Sequence, residues 1–354
     1  MSVKKVLVIR FRRIGDAVLS VVICSSIRKS FPEAEIHYVL NDHIAPLFEN
    51  HPDIDKIITF SDEENNHFFK YLRKVRQLMK TERYDVIIDT RATIKTLWFS
   101  AFSLRTKYRI GTSKFYNHFF HNYRVRNHVN DDLDEVVRNL LLLRPLERER
   151  KLIMTTDFRL YVTEQETAEF KSYMEQKGIN FSRFIVVCTP FTRVAGKAWD
   201  MAKMKEILSR IIQRYGAQLI FNYSRIEKEA ALALYEDMGK DEHIFIDIEA
   251  DSLRKLVSML EIADFFFGNE GGPRHIAQAC HLPGLAIYPP WVELPRWLPS
   301  NDLRYQSVSP FDMFPGQVIE GRTEKELFDL LSVGYVWERL QPMMDEAFIR
   351  KAKL

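Results

Sequence analysis

No stretch of this chain approaches the roughly 20 consecutive apolar residues that a membrane span requires. The opening, Met1 to Phe11, is a short apolar run broken by Lys4, Lys5 and Arg10, without the long apolar stretch or small-residue cleavage site of a signal peptide. The expected location is the cytoplasm, up to the inner face of the cytoplasmic membrane. Cysteine is scarce. Cys24, Cys188 and Cys280 lack metal-ligand spacing and read as small buried hydrophobes in a reducing compartment. Net charge is also small, at +3, and by itself names no partner.

Several catalytic signatures are missing. No Gly-x-Gly-x-x-Gly follows the first apolar run, where Arg12-Arg13-Ile14-Gly15-Asp16 stands instead, which argues against a nicotinamide or flavin enzyme. Gly196-Lys197 superficially resembles a P-loop, but Ala198 replaces the required hydroxyl residue and Phe191 the first glycine, so an ATPase is excluded. There is no His/Glu metal cluster and no Gly-x-Ser-x-Gly nucleophile elbow, so neither a metal nor a bound cofactor is expected.

What is present is an ordinary globular composition, 46% apolar and 28% charged, over 354 residues, enough for two domains. Short β-branched runs alternate with helix-length segments, the pattern of parallel sheets with crossover helices. In the first half Lys4–Phe11, Ile36–Leu40, Lys56–Phe60 and Val86–Asp89 predict strands, with helices at Asp16–Ser30 and Phe68–Met79. The second half repeats the plan, with strands at Phe184–Thr189, Gln218–Asn222, His243–Asp247, Phe265–Gly268 and Gly284–Tyr288. Helices are expected at Met201–Tyr215 and Ser252–Ile262, and a charge-rich stretch from Arg144 to Ser182 joins the halves. The expected division is 1–160, 161–332, and a closing helix in 333–354 that packs back across the interface. A cleft between two such α/β halves suits a nucleotide-bearing substrate, because ligands of open parallel sheets collect at the carboxyl ends of strands.

Three segments carry chemistry. In Asn269-Glu270-Gly271-Gly272-Pro273-Arg274-His275 a buried strand runs into glycines and a proline that opens a helix, a place where free N–H groups receive a diphosphate. His275 adds a hydrogen bond there or is merely packed. The second segment runs from Thr189 to Trp199. Its Lys197 either neutralises a phosphate leaving group, with Thr192 hydrogen-bonding to it, or is a solvated lysine beside a buried tryptophan. The third is Gly15-Asp16, where the carboxylate either caps the following helix or takes a proton from a sugar hydroxyl.

Together these segments resemble glycosyltransferase family 9, the ADP-heptose:lipopolysaccharide heptosyltransferases. The opening run Val6 to Ser20 with its Gly15-Asp16 turn, the turn Phe31-Pro32-Glu33-Ala34, Thr192-Arg193 with Lys197 and Trp199, and Asn269 through His275 follow the family's order over nearly the whole chain. The resemblance implies a GT-B fold, with two facing Rossmann-like domains, the acceptor on the first and the nucleotide-sugar on the second. It implies an inverting, metal-independent displacement with Asp16 as base. Thr192, Lys197, Glu227, Glu270, Gly271, Gly272 and His275 would hold the donor, an ADP-sugar or another nucleotide-diphosphate sugar. The family's Asp-(Ser/Thr) pair is Glu270-Gly271 here, which places a longer acid and no hydroxyl beside the donor sugar. Other readings of the same fold are a non-catalytic nucleotide-sugar-binding protein and a nucleotide-sugar epimerase.

From Thr90 to Asn130 there is no Asp or Glu, while Arg91, Lys95, Arg105, Lys107, Arg109, Lys114, Arg124 and Arg126 interleave with aromatic residues. Basic and aromatic side chains together suit an anionic, lipid-linked saccharide at a bilayer surface, with Arg91, Lys95, Arg105, Lys107 and Arg109 as acceptor ligands and residues 90–130 as a peripheral membrane contact. Nucleic acid competes for the same residues, and a core with solvated bases is the plain alternative; the acceptor that donor-type motifs require favours lipid, so no nucleic acid is expected.

Overall fold

A computed structural model describes residues 3–126, 133–194, 196–292, 294–298, 302–314 and 321–353. The chain divides into two compact units, Met1–Tyr161 and Val162–Leu354.

The first unit is built on a parallel six-stranded sheet: β1 (Lys5–Ile9), β2 (Glu35–Asn41), β3 (Lys56–Phe60), β4 (Val86–Asp89), β5 (Tyr108–Thr112) and β6 (Tyr123–Val125), in the order β3-β2-β1-β4-β5-β6. The strands are nearly continuous β-branched runs because both faces of the sheet are covered. On one face Phe11, Phe60, Tyr71 and Phe99 cluster with Leu7, Ile9 and Ile87. The helix Ile14–Ser30 is buried on almost all sides, leaving only Ile14, Arg28 and Lys29 less than buried, which explains why it has no polar stripe.

The second unit repeats the arrangement with β7 (Ile185–Thr189), β8 (Gln218–Phe221), β9 (Ile244–Phe245), β10 (Phe265–Asn269), β11 (Gly284–Ile287) and β12 (Tyr305–Val308), again all parallel. Its order, β12-β11-β10-β7-β8-β9, is the first sheet's order restarted at β7 and read from the other edge. The helix Met201–Tyr215 shows why sequence and element agree there. Asp200 caps it by accepting from the Lys203 N–H, Gly216 ends it in a left-handed conformation, and Met204, Ile207, Leu208, Ile211 and Ile212 form one buried face. The closing helix Val333–Lys351 places Val336, Leu340, Met343, Met344 and Ala347 in this unit's own core. Each such large side chain contributes roughly 1.5–3 kcal/mol by leaving water.

In both sheets the strand order reverses beside the first strand, between β1 and β4 and between β7 and β10. Open parallel sheets bind ligands at that switch point, outside the carboxyl ends of the strands. Three strands lie outside the expected set. β5 and β6 fall in the basic, aromatic stretch, and β12 is a half-polar edge strand.

Candidate active site

At the switch point of the first sheet, Arg10 follows β1 and is buried. Its Nη2 donates to Asp16 Oδ1 and lies 3.4 Å from Glu135 Oε1, while Nη1 donates to Thr90 Oγ1 at 3.2 Å. The Thr90 hydroxyl in turn donates to the Ile9 carbonyl at 2.8 Å. Asp16 sits differently from the expected turn. The chain bends at Arg12, with φ of 89°, and the helix has begun at Ile14, so Gly15-Asp16 lies in its first turn. Nor does Asp16 cap the helix. The N-cap position is Arg13, with no side-chain cap bond, and the carboxylate is oriented by Arg10 instead. Asp16 Oδ2 has no hydrogen-bond partner among the described residues.

Behind this group lies a buried pair that sequence reading missed. Asp89, the last residue of β4, accepts on Oδ1 from the N–H groups of Arg91 (3.1 Å) and Ala92 (2.8 Å), shaping the turn that carries Thr90. Its Oδ2 faces His121 Nε2 at 3.7 Å, and neither atom has a hydrogen-bond partner. Burial pushes the Asp89 carboxyl up to about 6. Burial, with Arg109 nearby, holds the His121 ring down at about 4. The ring fits only because residue 111 is glycine: a Cβ there would stand 2.4 Å from His121 Cε1.

The five basic residues expected to bind acceptor are not brought together. Arg91 and Lys95 follow β4 at the carboxyl edge, and Lys95 Nζ donates to the Asn65 carbonyl at 2.7 Å. Arg105 and Lys107 precede β5, at the opposite edge, and Lys107 is paired with Glu149. Arg109 is a structural staple. Its guanidinium donates to the carbonyls of Leu104 (2.6 Å), Thr106 (2.7 Å) and Phe120 (2.7 Å), tying β5 to the loops around it.

In the second unit the loops after β10, β7 and β8, three neighbouring strands, carry the expected donor residues. β10 approaches β7 closely at Gly268, where a Cβ would meet Thr189 Oγ1 at 2.2 Å and its carbonyl oxygen at 2.5 Å. Asn269 then pins the neighbouring loop, accepting from Trp199 N at 2.9 Å and donating to the Pro190 carbonyl at 2.6 Å. Lys197 Nζ meets Glu270 Oε2 at 2.9 Å. Thr192 donates to the Val194 carbonyl at 2.9 Å within its own loop. Gly271 is the N-cap of the helix Gly272–Ala279, with Pro273 in its first turn. His275 is buried in that turn, and burial together with Arg274 holds it well below the usual histidine range, so the ring is neutral near pH 7. Glu227 follows β8, but its Oε2 is engaged by the N–H and hydroxyl of Ser224, both at 2.6 Å, in a capping box.

Two further residues escaped the sequence reading. Glu135 meets Arg10 across 125 positions of chain, and no local pattern announces that. Arg274 is a buried cation whose guanidinium contacts Gln278 Oε1 (2.6 Å), His275 Nδ1 (2.7 Å) and the Trp297 carbonyl (2.6 Å). Its signal was available as an arginine between the proline and the histidine of a helix start. Among the described residues, one group has metal-ligand geometry: Glu35, His37 and Glu82. It lies at the amino edge of the first sheet, where Lys5 and Lys56 already pair its carboxylates.

The model of glycosyltransferase family 9 (heptosyltransferase) matches residues 72–307, two thirds of the chain. The chain belongs to glycosyltransferase family 9. It is 24% identical over 298 residues to lipopolysaccharide heptosyltransferase 3 of Escherichia coli K12, covering 79% of this chain and 83% of that one. Among solved structures, a family 9 glycosyltransferase from Veillonella parvula aligns over 98% of both chains with a TM-score of 0.82 at 15% identity. The E. coli ADP-heptose LPS heptosyltransferase II aligns over 98% of this chain and 99% of its own, with a TM-score of 0.72 at 17% identity. These likenesses establish the GT-B fold, and family membership makes the chain a glycosyltransferase. Among the described residues no helix is long and apolar enough to cross a membrane.

Proposed function

We propose that this glycosyltransferase moves a sugar, heptose or a relative of it, from a nucleotide-diphosphate donor to an anionic saccharide of the lipopolysaccharide-core type, by one inverting displacement without a metal. The observation that carries this reading is the carboxylate of Asp16. Arg10 fixes one oxygen at the switch point of the first sheet and leaves the other for an acceptor hydroxyl. Asp16 takes the hydroxyl proton as the acceptor oxygen attacks the anomeric carbon, and the bond to the diphosphate breaks on the opposite face. In the second unit Lys197 leaves Glu270 for the diphosphate, and the N–H groups opening the helix Gly272–Ala279 donate to the oxygens on which negative charge develops. His275, neutral, donates a hydrogen bond rather than a charge. Arg91 and Lys95, at the same edge as Asp16, meet the acceptor's anionic groups, and the cytoplasmic face of the membrane supplies the acceptor. The relatives named for ADP-heptose and lipopolysaccharide support ADP-heptose as the first donor to try.

Asp16→Asn tests the assignment. Transfer from ADP-heptose to a core acceptor is expected to fall by roughly 10²–10⁴-fold, the usual worth of a general base, with donor affinity by calorimetry unchanged. Turnover near the wild-type rate would remove Asp16 from this role. Incubating the wild type with donor alone separates the other readings, since a new nucleotide-sugar would mean an epimerase.

A further inference from the structure

Three connections that leave the carboxyl edge of the first sheet carry large apolar side chains into solvent, the first of them at the start of the helix Phe68–Glu82. After β3 come Phe68, 53% exposed, and Phe69, 83% exposed; after β4 comes Ile94, 71% exposed; after β5 come Phe115, 88% exposed, and Phe119, 75% exposed. None of these is needed for the core, which the buried Phe60, Tyr71 and Phe99 already fill on that side.

The loops are tied to one another. The Tyr116 hydroxyl donates to the Ala92 carbonyl at 2.9 Å, and the Phe115 ring packs on Tyr116. Lys95 Nζ reaches Asn65 just before Phe68, and Phe68 in turn touches Trp98. The apolar side chains thus stand on one braced rim rather than on independent tips. Bases surround them. Lys114, Arg124 and Arg126 are exposed in the stretch without acids, and no carboxylate pairs with them among the described residues. Of the nearby acids Asp62, Glu63 and Glu64, the last two are neutralised by Lys70 and Lys74.

We infer that this rim is a membrane-docking surface: Phe69, Ile94, Phe115 and Phe119 enter the acyl boundary of an anionic phospholipid bilayer while Lys114, Arg124 and Arg126 meet its headgroups. Apolar insertion and basic attraction together give stable attachment where either alone is marginal. Asp16 opens from the same edge of the sheet, so a docked first unit presents its carboxylate towards a saccharide rooted in that bilayer. The inference rests on the proposed lipid-linked acceptor for its purpose but not for its test.

The full chain is mixed with extruded vesicles of phosphatidylcholine, with or without phosphatidylglycerol, and sedimented at low and high salt. Binding to the anionic vesicles is expected, weakened by salt and by leaving out the anionic lipid. Phe115→Ser with Phe119→Ser is expected to lower the partition at least about tenfold, given what burying one Phe contributes. The same variant should keep the wild-type melting temperature and its calorimetric affinity for ADP, since both rings stand in solvent and the proposed donor loops belong to the other unit. Equal binding of variant and wild type would overturn the inference. So would failure of the wild type to bind anionic vesicles, including the case in which it self-associates through this rim instead. Should docking hold while no transfer to any lipid-linked saccharide occurs, the proposed function fails and the docking surface stands.

Discussion

At the residue scale, the carboxylate at position 16 was legible in the sequence as a chemical group but not as a geometry. A Gly-Asp pair after an apolar run suggests a cap, and capping depends on one residue's backbone, which the run does not specify. The structure replaces the cap with a guanidinium from the end of β1. Asp89 and His121 were illegible, because a buried acid at a strand end looks like any turn former and its partner is 32 positions away. Their titration has a checkable sign. A carboxyl raised on folding adds stability below its unfolded value of 3.8 and loses it as pH climbs through about 6. A histidine held down works in reverse, adding stability above 6.5 and losing it as pH falls towards about 4. Asp89→Asn keeps an oxygen for the Arg91 and Ala92 N–H groups and turns an N–H towards His121. It is therefore expected to gain on the wild type as pH rises from 4 to 7, by at most about 3 kcal/mol. Denaturant titrations at several pH values measure this. A difference between variant and wild type that does not change with pH would contradict an ionised, poorly satisfied Asp89.

At the scale of elements, the turn from β10 into the helix Gly272–Ala279 was the most legible part of the candidate site, because glycines and a proline after an apolar run signal a strand-to-helix turn whatever the partner. What the pattern withheld was the cross-links. Asn269 is a side-chain clasp between the loops after β10 and β7, and Asn269→Ala leaves the Trp199 N–H and Pro190 carbonyl without it. Unmet buried groups cost about 1–3 kcal/mol each, so the variant is expected to melt earlier and to bind ADP more weakly, as calorimetry would register. The Lys197–Glu270 pair makes a subtler prediction. In the proposed function a diphosphate takes Lys197 away from Glu270, with which it is paired in the structure, and sits near that acid. Glu270→Gln removes both the competition and the repulsion, so ADP binding should tighten several-fold while heptose transfer changes independently. Weaker ADP binding in this variant would mean that Glu270 holds the lysine in its working position rather than competing for it.

At the scale of the molecule, the repeat of alternating strands and helices announced two α/β units, and the structure adds that both sheets share one strand order. The strands that went unread are informative. β5 and β6 carry Arg109, Tyr123 and Arg124, polar side chains that a search for apolar runs rejects, yet backbone pairing and the Arg109 staple place them in the sheet. The closing helix is a long-range element of the second unit: Leu340 and Met344 join its core, and Trp199 Nε1 donates to the Leu331 carbonyl at 3.2 Å just before it. Each unit therefore has its own core, and their stabilities should be separable. Leu340→Ala and Ile23→Ala, at fully buried positions of the second and first unit, are each expected to cost roughly 2–5 kcal/mol. Scanning calorimetry should show each variant lowering a different transition, and ADP should raise only the one that Leu340→Ala lowers, because a ligand stabilises the fold that binds it. If both variants lowered one common transition, the two cores would melt as a single unit. The donor loops would then draw on the stability of the whole chain rather than on that of residues 162–354 alone.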